Sequence, residues 1–302
     1  MDFARLRTLR ELSLRKTMAS VADALLISPS AVSQQIALLE AEVGIELVER
    51  RGRGVSLTPA GERLVEHASR IIAIVEEAKT DLAELKRIVA GELRVAAFPS
   101  AAASLIPPTI VSMAAAYPAL RTTFVELEPA EGLAALRAWQ TDLAIVDDLT
   151  TETMPPGPSV EMVHLLDDTL YVLMPPSHPL AERPFVTLPE LSDQRFALDT
   201  SIDDYSGVIV RACRQAGFEP IINGKCHGFE VVRALIVAGC SISIQPGLHL
   251  RNGADGLVFK AIRPTIRRSI SVAYRAGEGR NPAIRAFVSD LTARAGAIGG
   301  PA

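Results

Sequence analysis

The sequence predicts an all-α head carrying a small β-ribbon, a long coiled-coil connecting helix and an α/β body of two lobes. Three observations point there. Apolar residues recur at helical spacing through the first forty or so positions, an unbroken apolar repeat of alternating four and three runs from Leu64 to Val89, and beyond Gly91 strands alternate with helices. A chain of 302 residues with 48% hydrophobic content is long enough for two or three cores.

In the head, Phe3, Leu6, Leu9 and Leu12 set one apolar stripe on a first helix that ends near Leu14 to Lys16. Thr17 and Ser20 offer N-caps to a second, short helix with Val21, Ala22 and Leu25 inward. Ser28-Pro29-Ser30 starts a third helix sharply, with Ser28 as cap and Pro29 at the first helical position. Val32, Ile36, Leu39 and Val43 then face inward, which puts Ser30, Ser33, Gln34 and Gln35 on the solvent side.

That outward face is uncharged and rich in hydroxyl and amide groups, the side chains that pair with base edges and phosphates in a major groove. Two short helices joined tightly, the second polar-faced, match a helix-turn-helix, although a plain helical hairpin with a solvated face fits the same stretch. The following residues favour DNA. Gly44 closes the helix, and Arg50-Arg51-Gly52-Arg53-Gly54 forms a basic tip between Ile45–Val48 and Val55–Thr58, a two-stranded wing whose arginines can neutralise phosphates. Charge adds little, since residues 1–58 carry a net +1 and the remainder −5 within a total of −4.

These stretches resemble the LysR-type transcriptional regulators. The resemblance rests on Ala22–Leu25, Ser28–Ile36, Leu39-Glu40, Gly44–Arg50 and Leu57–Glu62, in order across a span of about forty positions, and the family's length and two-part layout fit the chain. Lys16-Thr17-Met18 departs from the Gly-Ser-Phe type stretch usual there. The DNA-contacting set expected is Ser28, Ser30, Ser33, Gln34, Gln35, Arg50, Arg51 and Arg53.

Thr58-Pro59 starts the connecting helix, on which Leu64, Ala68, Ile71, Val75, Ala78, Leu82, Leu85 and Val89 keep a seven-residue repeat. Such a repeat calls for a partner helix, and a dimer through Leu64 to Leu85 is expected; a helix lying on the protein's own surface is the alternative. Over Pro59–Val89 the helix spans about 45 Å. The resemblance implies a tetramer, with RNA polymerase as a further partner. The domains expected are therefore 1–58, 59–90 and 91–302.

In the body, Leu93–Phe98, Thr122–Leu127 and Asp142–Val146 read as strands, with helices over Leu105–Tyr117 and Leu133–Trp139 between them. This is a parallel βαβαβ unit, whose ligands sit beyond the carboxyl ends of the strands, at Pro99–Ala102, Glu128-Pro129 and Asp147-Asp148. A second set follows: strands at Thr169–Met174, Phe196–Asp199, Ile221–Cys226 and Ser241–Ile244, and helices at Val208–Ala216 and Phe229–Ala238. Ser269–Tyr274 and a helix over Asn281–Ala295 return to the first lobe. Lobe I is thus 91–164 with 267–296 and lobe II 165–266, with crossings near Val163–Leu166 and Arg263–Thr265.

The resemblance implies a fold like that of periplasmic binding proteins, closing on a small-molecule effector. On this chain it places Ser100 and Ala101 against Thr200, Ser201 and Ile202 across the cleft, and Glu128 and Asp147 join them from the strand ends. Ser100 and Ala101 open a helix whose N–H groups favour an anion, so a small organic acid is the first expectation. Asp147, Asp148, Asp203 and Asp204 suit an amino group instead, hence an amino acid or amine, unless they are ordinary solvated loop charge.

Other classes find less support. Gly-x-Ser-x-Gly, His-Glu-x-x-His, the phosphate-binding Gly-Lys-Ser/Thr and paired metal-ligand spacings are absent, and His67, His164, His178, His227 and His249 are scattered, so neither an enzyme nor a metal or cofactor site is expected. Cys213, Cys226 and Cys240 form no Cys-x-x-Cys pair. A solute receptor with a fused helical domain is the other rival. Without a signal-type start or an apolar run of eighteen residues, a cytoplasmic protein free of the membrane is expected.

Overall fold

The computed structural model describes residues 1–25, 27–51, 54–86, 88–151, 159–199, 203–250 and 256–299. Its contacts divide into two compact units, Met1–Lys86 and Arg87–Ala302. The connecting helix, described over Pro59–Lys86, clusters with the head.

The first unit comprises α1 (Phe3–Arg15), α2 (Met18–Leu25), α3 (Pro29–Val43), β1 (Val48–Arg51), β2 (Gly54–Leu57) and α4 (Pro59–Lys86). Leu6, Leu9 and Leu12 of α1 meet Val21, Ala22, Val32, Ile36, Leu39 and Leu47 in one core. Phe3, one turn earlier, lies exposed. Asp2 caps α1 by accepting from the Ala4 N–H at 2.7 Å. Lys16 ends the helix at φ 62°, in the left-handed region, with its N–H on the Leu12 carbonyl. A side chain there costs about 1–2 kcal/mol. The strained turn is fixed from outside, because the Lys16 carbonyl accepts from the Val55 N–H of the wing at 3.1 Å.

The wing joins the helices through two carboxylate and carbonyl anchors. Glu40 of α3 accepts from the N–H groups of Leu47 and Val48 at 2.8 and 3.1 Å. Thr58 donates to the Glu46 carbonyl at 2.8 Å and its hydroxyl caps α4 by accepting from the Gly61 N–H at 3.1 Å. At Gly61 a Cβ would stand 2.1 Å from the Leu47 carbonyl oxygen, so no other residue fits without moving the backbone.

The heptad of α4 is divided between two uses. Ala68 is buried in the head core and Leu64 packs half-buried against it, so these two positions are already covered by their own chain and are withdrawn from the dimer set. Ile71, Ala78 and Leu82 are exposed and Val75 is half-buried, with Ile74 adding a further exposed apolar group. The side chain of Leu85 lies outside the described residues.

The second unit runs through β3 (Gly91–Ala97), α5 (Pro99–Ala116), β4 (Leu120–Glu126), α6 (Pro129–Arg137), β5 (Leu143–Asp147), α7 (Asp148–Thr151), β6 (Val160–Met174), β7 (Phe185–Thr187), β8 (Arg195–Asp199), α8 (Asp203–Gln215), β9 (Ile221–Cys226), α9 (Phe229–Val237), β10 (Ser243–Pro246), α10 (Gly247–Leu250), β11 (Val258–Arg263), β12 (Arg267–Arg275) and α11 (Pro282–Gly299). In lobe I, β3 pairs in parallel with β4 and β5, and β12 runs antiparallel between β5 and β6. In lobe II, the far half of β6 pairs with β10 and β11, and β8 with β9. Fifteen-residue β6 thus belongs to both lobes, with a register shift opposite Ile270/Ser271 where it crosses.

Leu165 and Leu166 of β6 pack in the lobe I core, and β6 stays paired with β12 as far as Thr169 before it joins β10 and β11. Helix α5 is long and apolar enough to cross a membrane by length and composition, but it lays Ala101, Leu105, Ile106 and Met113 into the lobe I core.

Two substitutions test the head. Lys16→Gly should raise stability to urea by about 1 kcal/mol by removing the left-handed strain. Gly61→Ala should lower it by about 3 kcal/mol through the carbonyl clash.

Candidate functional site

On α3, the Ser28 hydroxyl accepts from the Ala31 N–H at 3.2 Å and lies 2.9 Å from the Ser30 hydroxyl. Ser30, Ser33 and Gln34 are exposed, as the spacing required. Gln35 is not part of that face. It is half-buried and its amide oxygen accepts from Thr8 of α1, because position 35 lies three residues after Val32 and one before Ile36, on the inward side. Arg50 and Arg51 stand in β1, paired with Val55 and Gly54 of β2; their side chains, and all of Arg53, lie outside the described residues. The exposed polar face visible on the helix is therefore Ser28, Ser30, Ser33 and Gln34.

In the second unit a cleft of about 380 Å³, its open mouth included, is lined by both lobes and by the crossing between them. Lobe I brings Phe98 and Ser100 from the start of α5, Glu128 from the start of α6 and Asp147 from the end of β5; lobe II brings Asp199, Tyr205, Gln245 and His249; β12 brings Arg268.

Arg268 is 3% exposed and holds this arrangement together. Its guanidinium donates to Asp168 from Nε at 3.1 Å and Nη2 at 2.7 Å, to Asp147 from Nη1 at 3.3 Å and to the Ser100 hydroxyl from Nη2 at 2.7 Å, and it lies 4.8 Å above the Phe98 ring. Asp147 further accepts from the N–H and hydroxyl of Thr150, both at 2.8 Å, and Asp168 from the Leu248 N–H at 3.1 Å. Both aspartates are thus saturated from within the protein. Asp147 lines the cleft as expected, yet as a partner of Arg268 and not as an unspent charge.

Three further titratable groups line the cleft. Burial, reinforced by the carboxylates of Glu131, Asp199, Asp147 and Glu126, pushes the Glu128 carboxyl up to about 8. Asp199 accepts from the Gly228 N–H at 3.1 Å. His249 is held by a relay that fixes its proton. Ser243 donates to the Ala197 carbonyl at 2.7 Å, so its oxygen must accept from the Gln245 amide nitrogen at 3.0 Å; that turns the Gln245 oxygen toward His249 Nδ1 at 3.0 Å. The imidazole proton therefore sits on Nδ1 and leaves Nε2 as an acceptor. Burial and the Arg268 charge, opposed by Asp199, push His249 down to about 4, so it is neutral at pH 7.

A helix-turn-helix with a wing, followed by a cleft between two α/β lobes, defines a combination that family comparison resolves. Residues 3–62 match the bacterial regulatory helix-turn-helix protein, lysR family, and residues 86–296 match the LysR substrate binding domain. The chain belongs to the LysR family. As a LysR-type protein it is a DNA-binding transcriptional regulator with an effector-binding domain. Among its relatives is the transcriptional dual regulator GltC of Bacillus subtilis (strain 168), 28% identical over 82% of this chain and 81% of that protein. Full-length OxyR C199D from Pseudomonas aeruginosa shares the fold with a TM-score of 0.72 at 22% identity, over 97% and 98% of the two chains. An H2O2-bound Corynebacterium glutamicum OxyR C206S mutant has a TM-score of 0.59 at 26% identity over 99% and 96%.

Of the effector positions expected in this LysR-type domain, Ser100, Glu128 and Asp147 meet at the cleft. Ala101 does not, because its methyl group is wholly buried in the lobe I core. Thr200, Ser201 and Ile202 lie outside the described residues. The sequence reading missed Arg268, Asp199, Gln245 and His249, of which His249 alone stood among singled-out residues. Among the described residues no cluster of His, Cys, Asp and Glu is arranged to hold a metal ion.

The Glu128 carboxyl gives a pH signature. Raised above its unfolded value, it favours the fold below about pH 4.5 and loses that contribution as pH climbs through about 8. Glu128→Gln should therefore melt with the wild type at pH 5 and above it at pH 9, which thermal denaturation across that range would measure.

Proposed function

We propose that this regulator reads its operator with Ser28, Ser30, Ser33 and Gln34 of α3, steadied by Arg50, Arg51 and Arg53 on the wing, and responds to a small molecule that enters the interlobe cleft. The observation that carries the effector half is the placement of the cleft on the crossing itself, where Arg268 ties β5, β6 and α5 together. A ligand touching both lobes there changes the free energy of their closure, which is what an effector must do. Acting on DNA, the protein works in the cytoplasm and in contact with RNA polymerase.

Two copies joined through the exposed stretch of α4, at Ile71, Ile74, Val75, Ala78 and Leu82, with Leu85 continuing the repeat, would present two α3 faces to a two-fold operator, and pairing of dimers would give a tetramer. Replacing Ile74 and Leu82 together by Asp should convert dimers to monomers in sedimentation. A dimer that persists would remove α4 from the interface.

Peroxide sensing, suggested by the H2O2-bound relative, finds no support in this chain's thiols. Burial pushes Cys213 up to about 11 and raises Cys226, which keeps the reactive thiolate scarce, and none of the three cysteines lines the cleft.

The DNA assignment divides by mechanism. Gln34→Ala should change preference among operator sequences by about 1–3 kcal/mol at one position, whereas Arg51→Ala should weaken all sequences alike and flatten the salt slope. Gel shifts with DNA from beside the gene at two salt concentrations would separate these outcomes, and no retardation at low salt would remove the reading.

A further inference from the structure

We infer that Thr8 of α1 is a positioning residue for DNA reading: its buried hydroxyl holds Gln35 and so fixes the rotation of α3 about its own axis, which sets where Ser30, Ser33 and Gln34 point. The inference rests on α3 being the reading helix and adds a residue that is itself shut away from DNA.

Thr8 is wholly buried, and it donates to the amide oxygen of Gln35, the residue next to Gln34. The Thr8 hydroxyl also lies 3.0 Å from the Ala4 carbonyl one turn earlier, which holds a β-branched side chain in one rotamer. It is a fixed post. Gln35 stands near the middle of α3, so the post grips the helix between the two residues that face DNA on either side of it in sequence, Ser33-Gln34 before and the wing-bound Glu40 after being carried by the same rigid turn of backbone.

Other contacts hold α3 down without setting this angle. Val32, Ile36 and Leu39 pack on Leu6, Leu9 and Leu12, and apolar burial is non-directional, so it tolerates a small turn of the helix. A hydrogen bond does not, because it weakens steeply as its angle departs from linear. Glu40 binds the Leu47 and Val48 N–H groups and so ties α3 to the chain that follows it, while the pair of Arg5 with Glu42 at 3.1 Å lies toward solvent, where ions screen it. Thr8 with Gln35 ties α1 to α3 inside the protein.

The magnitude makes the angle matter. Side-chain tips stand about 5–6 Å from a helix axis, so a turn of about 10° carries them about 1 Å, and recognition geometry must be held within about 0.5 Å. Phosphate neutralisation is more tolerant, since it depends on charge and carries no sequence information. Loss of the tie should therefore reduce discrimination between sequences and leave general DNA affinity intact.

The test is fluorescence anisotropy on the full chain with two duplexes, the segment beside the gene that the wild type retards most strongly and a shuffled duplex of equal length and composition. In Thr8→Val, which keeps the volume and removes the hydroxyl, the ratio of the two affinities should fall at least tenfold, with affinity for the shuffled duplex and its salt slope unchanged. Thr8→Ser should restore the ratio. Gln35→Met removes the partner from the other side and should reproduce the loss, and the two changes combined should cost no more than either alone. Melting curves confirm that each variant is folded, and Gln35→Met carries the test if Thr8→Val is not. Equal losses on both duplexes would reduce Thr8 to a stabilising residue and overturn the inference. A wild-type ratio in Thr8→Val and Gln35→Met, beside an altered preference in Gln34→Ala, would overturn it too and leave α3 as the reading helix. An unaltered ratio in all three variants, or a wild type that binds both duplexes alike, would overturn both readings.

Discussion

The body is organised around one buried guanidinium. Arg268 lies on β12 where the chain passes back between lobes, and it draws Asp147 from β5, Asp168 from β6 and Ser100 from α5 onto a single group. Removing one member of such a cluster leaves an uncompensated charge in a dry site, at a cost of about 3–5 kcal/mol. The constraint spreads further through Asp168, whose second oxygen holds the first N–H groups of α10, and Gly247 must lack a side chain because a Cβ would come within 2.8 Å of that oxygen. Leu248 is thereby delivered into the lobe I core and His249 to the cleft wall. One ion cluster thus fixes both the join between the lobes and the chemistry exposed between them.

The same cluster shapes the chemistry of the cleft wall. A guanidinium engaged by two carboxylates strengthens the protein, and beside it the cleft wall carries Glu128 from lobe I and Asp199 and His249 from lobe II. Burial and the neighbouring carboxylates raise the Glu128 carboxyl, which limits the like-charge repulsion across the opening.

Local signals made the head legible and left much of the cleft hidden. Caps and turns are written within a few residues, as at Ser28-Pro29 and Thr58-Pro59, and both helices start there. Gln35 misled because its polarity pointed outward while its helical position pointed inward, and a partner on α1 settles such a case. In the body, β6 was seen only over its apolar far half, since Glu161, His164, Asp167 and Asp168 interrupt the pattern before it. Arg268 looks in sequence like the second of two surface arginines; what distinguishes it is Asp168, one hundred residues earlier. Strand β11 shares that difficulty, because Phe259 and Lys260 alternate with a weakly buried face.

The head shows how a single helix can obey two constraints in succession. The first turns of α4 are pinned to the wing by Thr58 and by the close approach at Gly61, and their heptad positions Leu64 and Ala68 are consumed by the head core. The repeat continues along the helix, where Ile71, Ala78 and Leu82 are exposed and Val75 is half-buried. Because a helix is stiff over this length, about 42 Å, the orientation of α3 is fixed relative to the later stripe within the same unit. Pairing through that stripe would therefore also set the spacing of two reading faces. The strict seven-residue period encodes more than adhesion: it keeps the inward surface of the first turns and the outward surface of the later ones in constant angular relation.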